Sequence, residues 1–334
     1  MRNRTRFSAA IALVIVAAAC RDQAPAPVAP HSAGGTISAQ MSATGQEHAA
    51  QEALDHAVIH VTVEGAAARS HGGGGGSVNL FYHGGIGGIG VETAPKIYLI
   101  VWGSQWNNND PSGEIATLES FYGGIGGSGW LNSVTQYCQG IASGASACSA
   151  NFAGNQSGMF VGVFVDNASA APSKPTQSQI AAEAVRAAQF FGNATAASNA
   201  TVQYVVATAT GNSSSGFKRQ YCAYHSSATS SFGNVAYTNL PYITDAGASC
   251  GANFNGLGPN AGITIVSGHE AAESITDQFP NGGWLDANGA ENGDKCAWTA
   301  PTGNTTLSTG VYPVQPLWSN AANNKAGGCV MSYP

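Results

Sequence analysis

Charge is what this 334-residue chain has least of: Asp, Glu, Lys and Arg together make up 9%, against about a quarter in ordinary soluble domains. Net charge is −6, and no basic cluster occurs after the first six residues. That leaves no electrostatic footprint for nucleic acid. No C-x-x-C pair is present, so a cysteine-built structural zinc site is excluded. No serine stands apart from its many neighbours, which sets Ser/His/Asp chemistry aside. The apolar run Phe7 to Ala19 is too short to span a bilayer. The Gly-rich turns His83–Gly90 and Tyr122–Gly129 lack the strand and helix that flank a phosphate cradle, and read as structural punctuation.

What is present points out of the cytosol. Three arginines in Met1–Arg6 followed by the apolar run form a signal peptide over residues 1–20. Its end, Ala17-Ala18-Ala19-Cys20, reads either as a small-residue cleavage site or as a lipobox that acylates Cys20. A lipid on Cys20 is the single membrane contact expected. The remaining cysteines, 138, 148, 222, 250, 296 and 329, are even in number, as suits an oxidising compartment. Their spacing leaves every connectivity open, and nearest-neighbour pairing (138–148, 222–250, 296–329) is the expectation.

Residues 21–77 read as a flexible tether or pro-segment. Arg21 to Pro30 is Ala/Pro-rich and a glycine run occupies 72–76. Between them the pattern predicts a short helix over Gln40–Ala57 and a short strand over His60–Val63. One globular domain is expected over 78–334. Lys96–Gly103, Gly158–Asp166 and Thr201–Thr208 are apolar, β-branched runs that read as buried strands, and Asn234–Ile243 as a strand near an edge. Glu114–Tyr122 and Thr176–Phe191 read as helices, the second capped by Thr176 or Ser178 and closed by Gly192. Strands alternating with helices predict an α/β fold, a mixed sheet with packed helices, stabilised by disulfides.

The most informative segment is Gly262–Asp277, G-I-T-I-V-S-G-H-E-A-A-E-S-I-T-D. On a helix His269 and Glu273 share a face at i, i+4, with Glu270 one position round. This is the arrangement of a zincin-like active-site helix, H-E-x-x-H, with glutamate replacing the second histidine. Val266, Ala271, Ala272 and Ile275 supply the apolar and small positions such a helix needs. Glutamate ligates zinc, although the extra negative charge makes Mn²⁺ or Ca²⁺ more competitive. His269 and Glu273 are therefore the expected metal ligands, with a third from downstream: Asp286 first, Asp277 as the alternative. Glu270 is the expected general base on the attacking water, and His225 an oxyanion stabiliser or ligand. The acidic loop with Asp286, Glu291 and Asp294 is also a candidate Ca²⁺ site, though not an EF-hand.

Plainer readings stand beside these. An H-E-x-x-E string usually marks a solvated helix face, but here it sits in an apolar, small-residue helix of a charge-poor chain. His225 reads equally as a hydrogen-bonded structural histidine, and the acidic loop as a solvated turn. Trp102, Trp106, Trp130, Trp284 and Trp298 read as core or cleft walls, some able to stack on sugars. Glu270, Glu273, Asp277 and Asp286 offer carboxylate pairs for glycoside hydrolysis, but spacing selects none.

Phe81-Tyr-His-Gly-Gly85, Val101-Trp-Gly103 with Trp106, Tyr221-Cys-Ala-Tyr-His-Ser226, Ser267–Asp277 and Gly283-Trp-Leu-Asp286 with Glu291 and Gly293-Asp-Lys-Cys296 together resemble secreted bacterial and fungal proteins related to the plant phosphate-induced (EXORDIUM-like) family. The resemblance covers most of 78–334. It implies an extracellular or cell-surface protein, and that Glu273 is the group's own form of the motif. It implies no particular reaction. The leading expectation is an exported metal-dependent hydrolase, a zinc metallopeptidase acting on peptide, protein or cell-surface substrate. The rival is a non-enzymatic surface module binding glycan or protein, with structural calcium.

Overall fold

The computed structural model describes residues 58–70 and 79–333. The signal peptide, the Cys20 lipobox, the Gln40–Ala57 helix and the glycine run at 72–76 lie outside the described residues.

Long apolar runs with few charges favour strands buried on both faces, which require a sheet covered on either side. The runs seen in the sequence become β3 (Lys96–Trp102), β4 (Phe160–Asp166) and β5 (Val202–Thr208). With β1 (Val58–Val61), β6 (Tyr221–Ser230) and β7 (Gly233–Leu240) they form one six-stranded mixed sheet in the order β4-β3-β5-β7-β6-β1. The first four strands are parallel, and β6 and β1 each pair antiparallel to their neighbour. β2 (Phe81–Tyr82) pairs separately with β8 (Trp284–Leu285). Two further two-stranded ribbons follow, β9 (Gly303–Leu307) with β10 (Gly310–Val314), and β11 (Leu317–Ser319) with β12 (Gly328–Val330).

β4, expected as a buried strand, is an edge strand that leaves Val161 and Val165 exposed. Two further expectations change. The strand expected near an edge, β7, lies inside the sheet, because β6 and β1 continue the sheet beyond it. The second change concerns the stretch assigned to the tether. Val58–Val61 is the edge strand itself, and α1 (Val63–Ser70) follows it. The local pattern of 60–63 gave a strand, but no local signal says which sheet an isolated strand joins.

The helices match the sequence more closely. α2 spans Glu114–Ile125. α3 spans Gln177–Phe190 and opens with a full capping box, Thr176 Oγ1 accepting from the Gln179 amide and Gln179 Oε1 from the Thr176 amide. α4 spans Ala261–Thr276, with every residue buried. Its Ile, Val and Thr content gives it little intrinsic helicity, so burial on all sides holds it. Gly262 and Gly268 are what let it sit so deep. A Cβ at Gly262 would strike the Cys250 carbonyl, and one at Gly268 would lie 3.0 Å from Phe121 and Trp130.

Disulfides join Cys138–Cys148, Cys222–Cys250 and Cys296–Cys329, as nearest-neighbour pairing predicts. The second ties β6 to the turns that lead into α4, and the third ties the segment after β8 to β12. Closing loops of this length contributes about 3–4 kcal/mol each in the chain-entropy account. No helix among the described residues is long and apolar enough to cross a membrane.

Candidate metal centre

The face of the sheet beneath α4 gathers ionisable side chains from four places. His60 on β1 sits opposite Ala223 of β6. Ala223 and His225 are two residues apart on one strand, so both histidines project from the same face. α4 adds His269, Glu270 and Glu273, and the segment after β8 adds Glu291 and Asp294. His60, His269, Glu270, Glu273 and Glu291 have no exposed surface, and His225 has 1%.

Their donor atoms converge. His269 Nε2 lies 3.0 Å from Glu273 Oε2 and 3.9 Å from Asp294 Oδ1. His225 Nε2 lies 2.8 Å from Glu291 Oε2 and 3.7 Å from Glu273 Oε2. Three overlapping groups result, each with its ligand atoms within 4.8 Å of one another: His60, His269 and Glu270; His269, Glu273 and Asp294; His225, Glu273 and Glu291. These groups can hold a metal ion.

The surrounding hydrogen bonds orient the central pair. Gln315 Oε1 lies 3.2 Å from His269 Nδ1 and Gln315 Nε2 donates to the Gly293 carbonyl at 2.8 Å, so the amide presents its acceptor to the ring. Nδ1 therefore carries a proton, and in the neutral ring the Nε2 lone pair faces Glu273. The Asp294 amide donates to Glu273 Oε1 at 2.8 Å, which turns Oε2 toward the ring. Nε2 and Oε2 end 3.0 Å apart without hydrogen-bond geometry. Two lone pairs at that distance repel unless a proton or a cation lies between them. A second interaction fixing a ligand imidazole is the usual support of a metal histidine. Gly293 is required by contact: a Cβ there would come within 2.8 Å of His269 Nδ1 and 2.9 Å of Glu273 Oε1.

Burial and charge act against each other across the cluster. Burial opposes charge on His269, but Glu273, Glu270 and Asp294 outweigh it and hold the ring up to about 9. Burial likewise opposes charge on Glu273, yet His269 and His225 bring it below the usual carboxylate range. Burial, with His269 adding to it, carries His225 down to about 4 despite Glu273, and carries His60 well below the ordinary value. Glu270 is pushed well above the carboxylate range by burial, against the pull of His269. Neither of its oxygens has a well-formed hydrogen bond. Several buried donors that all gain from one positive charge are the signature of a cation site.

Of the residues expected from the sequence, His225, His269, Glu270 and Glu273 come together. Asp277 touches the cluster only through Glu291, and Asp286 does not reach it. Asp277 accepts from the amides of Asn281, Gly282 and Gly283, building the turn after α4. Asp286 accepts from the amides of Asn288 and Ala290 and binds Lys295 Nζ at 2.6 Å. With Asp286 committed to a lysine and Glu291 and Asp294 turned toward histidines, the expected oxygen cage for Ca²⁺ near Asp286 does not form. The acids that do arrive are Glu291 and Asp294. His60 was missed entirely, because a lone histidine on a short strand before a glycine run carries no local sign of a ligand.

The centre is enclosed. One cleft of about 500 Å³ is lined by Gln136, Phe152, Asn320 and Tyr333, among others, and none of the donors reaches it. No family model matches this chain, and comparison with curated proteins and with solved structures found no relative.

Proposed function

We propose that the protein is an exported metal-dependent hydrolase, a metallopeptidase in its leading form, with α4 as its zincin-like helix. The observation that carries this reading is the His269–Glu273 pair, a ring nitrogen and a carboxylate oxygen held 3.0 Å apart at zero exposure by partners on their far sides. His269, Glu273 and Asp294 would hold the ion, with His225 and Glu291 beside them. Mixed imidazole and carboxylate donors suit Zn²⁺ better than Ca²⁺. The ion would supply Lewis-acid polarisation of a carbonyl and a lowered pKa for water.

The chain's own residues do the rest. Glu270 abstracts a proton as water attacks the scissile carbonyl, forming the new C–O bond. It returns that proton to the leaving amine as the C–N bond breaks. The likeness to secreted EXORDIUM-related proteins and the cysteine chemistry support the extracellular setting.

Enclosure favours a second reading, a non-enzymatic binding module whose ion is structural. Metal content by ICP-MS on protein purified without chelating resin, together with a peptide-substrate screen, separates the two. The hydrolase reading expects near-stoichiometric zinc, lost in His269→Ala, and hydrolysis lost in Glu270→Gln with the zinc retained. Metal without hydrolysis favours the module. A wild-type protein free of divalent metal defeats both.

A further inference from the structure

Two of the three donor groups meet at a single residue. The group of His269 and Asp294 and the group of His225 and Glu291 have only Glu273 in common. Among the described residues no group holds both His225 and His269, so no single point lies within bonding reach of both nitrogens. Glu273 Oε1 accepts from the Asp294 amide at 2.8 Å, which leaves Oε2 to face the two rings. That oxygen lies 3.0 Å from His269 Nε2 and 3.7 Å from His225 Nε2, on a residue of zero exposure, without a well-formed hydrogen bond. Donors held by one ion at about 2.0–2.2 Å stand about 2.9–3.5 Å from one another. The spacings around His269 (3.0 and 3.9 Å) and around His225 (2.8 and 3.7 Å) lie in or just outside that range.

Charge points the same way. Glu270, Glu273, Glu291 and Asp294 bring four carboxyl groups to one enclosed centre. Lys295, which follows them in the chain, is turned to Asp286 at 2.6 Å. One divalent ion offsets two of the four, and the others need a proton or a second cation in the protein interior. A proton on His225 Nε2 accounts for its contact with Glu291 alone and leaves Glu273 Oε2 without a partner. An ion at that place serves all three side chains.

We propose that the centre holds two metal ions, the second bound by His225 and Glu291, with Glu273 Oε2 as the oxygen both ions share. Ions joined in this way lie about 3.5–4 Å apart, the spacing of two-metal hydrolytic sites. Glu291 is then a ligand in its own right, and His225 serves the second ion. The proposal rests on the metal reading of the centre and not on the hydrolase reading.

Cobalt is the probe, because bound Co²⁺ can be counted and two ions sharing an oxygen couple magnetically. The full chain is equilibrated with Co²⁺ as wild type, Glu291→Gln, His225→Phe and Glu273→Gln, and its metal is counted by ICP-MS. The expected result is two Co²⁺ per chain in wild type and one in Glu291→Gln and in His225→Phe. Glu273→Gln should bind both ions at least 100-fold more weakly, because one side chain serves both. Electron paramagnetic resonance of the wild type tests the point without any substitution. Its signal per cobalt should be at least twofold weaker with Co²⁺ alone than with Co²⁺ diluted tenfold in diamagnetic Zn²⁺. One Co²⁺ per wild-type chain, or two that show no coupling, overturns the proposal and leaves the metal reading intact. So does a count of two kept in both Glu291→Gln and His225→Phe. Failure of the wild type to bind Co²⁺ at all defeats this proposal together with the metal reading.

Discussion

The stretch between α4 and the third disulfide holds two pairs of acids with opposite fates. Asp277 and Asp286 accept from backbone amides of their own turns, three for the first and two for the second, and Asp286 also holds Lys295. Glu291 and Asp294 point instead at His225 and His269. A carboxylate whose lone pairs are filled by amides of its own loop is a builder of that loop. Glu291, buried against an imidazole and a second carboxylate, keeps one oxygen without a hydrogen bond. The distinction lies in where the chain turns after Trp284, and spacing along the sequence does not record it.

The comparison predicts its sharpest break at Gly293. Alanine there forces a methyl group against His269 Nδ1 and Glu273 Oε1, so the pair must part. Gly293 has φ −77°, which alanine adopts without backbone strain, so the loss falls on the ion and not on the loop. Titration against a fluorescent zinc indicator should show affinity reduced at least 100-fold, with the far-UV circular dichroism unchanged. Asp294→Asn should behave similarly but more mildly, about 10- to 100-fold, because it removes charge and keeps shape. Equal zinc affinity in both variants and wild type would erase the difference between the two pairs.

Asp277→Asn should do the reverse. It replaces a carboxylate serving three amides with a side chain that offers one acceptor oxygen, at about 1.5–3 kcal/mol for a charged hydrogen bond. Urea denaturation should show a loss of about 3 kcal/mol, with zinc stoichiometry kept.

Glu92 supplies a buried acid away from the cluster. Its Oε2 accepts from Gln203 Nε2 at 3.0 Å, and burial pushes its carboxyl up to about 8 against that bond. A folded pKa above the unfolded one means stability present in full below about 4.5 and lost as pH rises toward 8, by about 1.4 kcal/mol per unit at most. Glu92→Gln should flatten that decline and gain about 1–2 kcal/mol on the wild type at pH 8 relative to pH 5. Here a proton answers burial; the cluster has the donors to hold a cation instead. An unchanged pH profile in the variant would remove that contrast.

The same logic explains what was readable beforehand. β3, β4 and β5 announce themselves by their apolar, β-branched runs and α3 by its period and its cap, while α4 is read from the spacing of its His and Glu residues. His269, Glu270 and Glu273 follow because one helix turn fixes their relation. His60, Glu291 and Asp294 reach the centre only through strand pairing and a loop path, which are long-range facts. β1 shows this most clearly: its strand character was local, its partner β6 lies about half the chain away, and its histidine gained meaning only from that partner.

Asp286 gives the smallest expected effect and the most direct test of the builder class. Lys295 and two amides hold its carboxyl below the usual range against burial. Lys295 also lies 4.6 Å over the Trp318 ring, so the lysine keeps a partner when the carboxylate goes. Asp286→Asn can still accept from both amides, which share Oδ1, and partly exposed pairs contribute about 1 kcal/mol or less. The expected cost is therefore about 1 kcal/mol, with zinc affinity within threefold of wild type. A tenfold loss of zinc with no change in stability would move Asp286 into the other pair, and with it the third-ligand position that the sequence alone assigns.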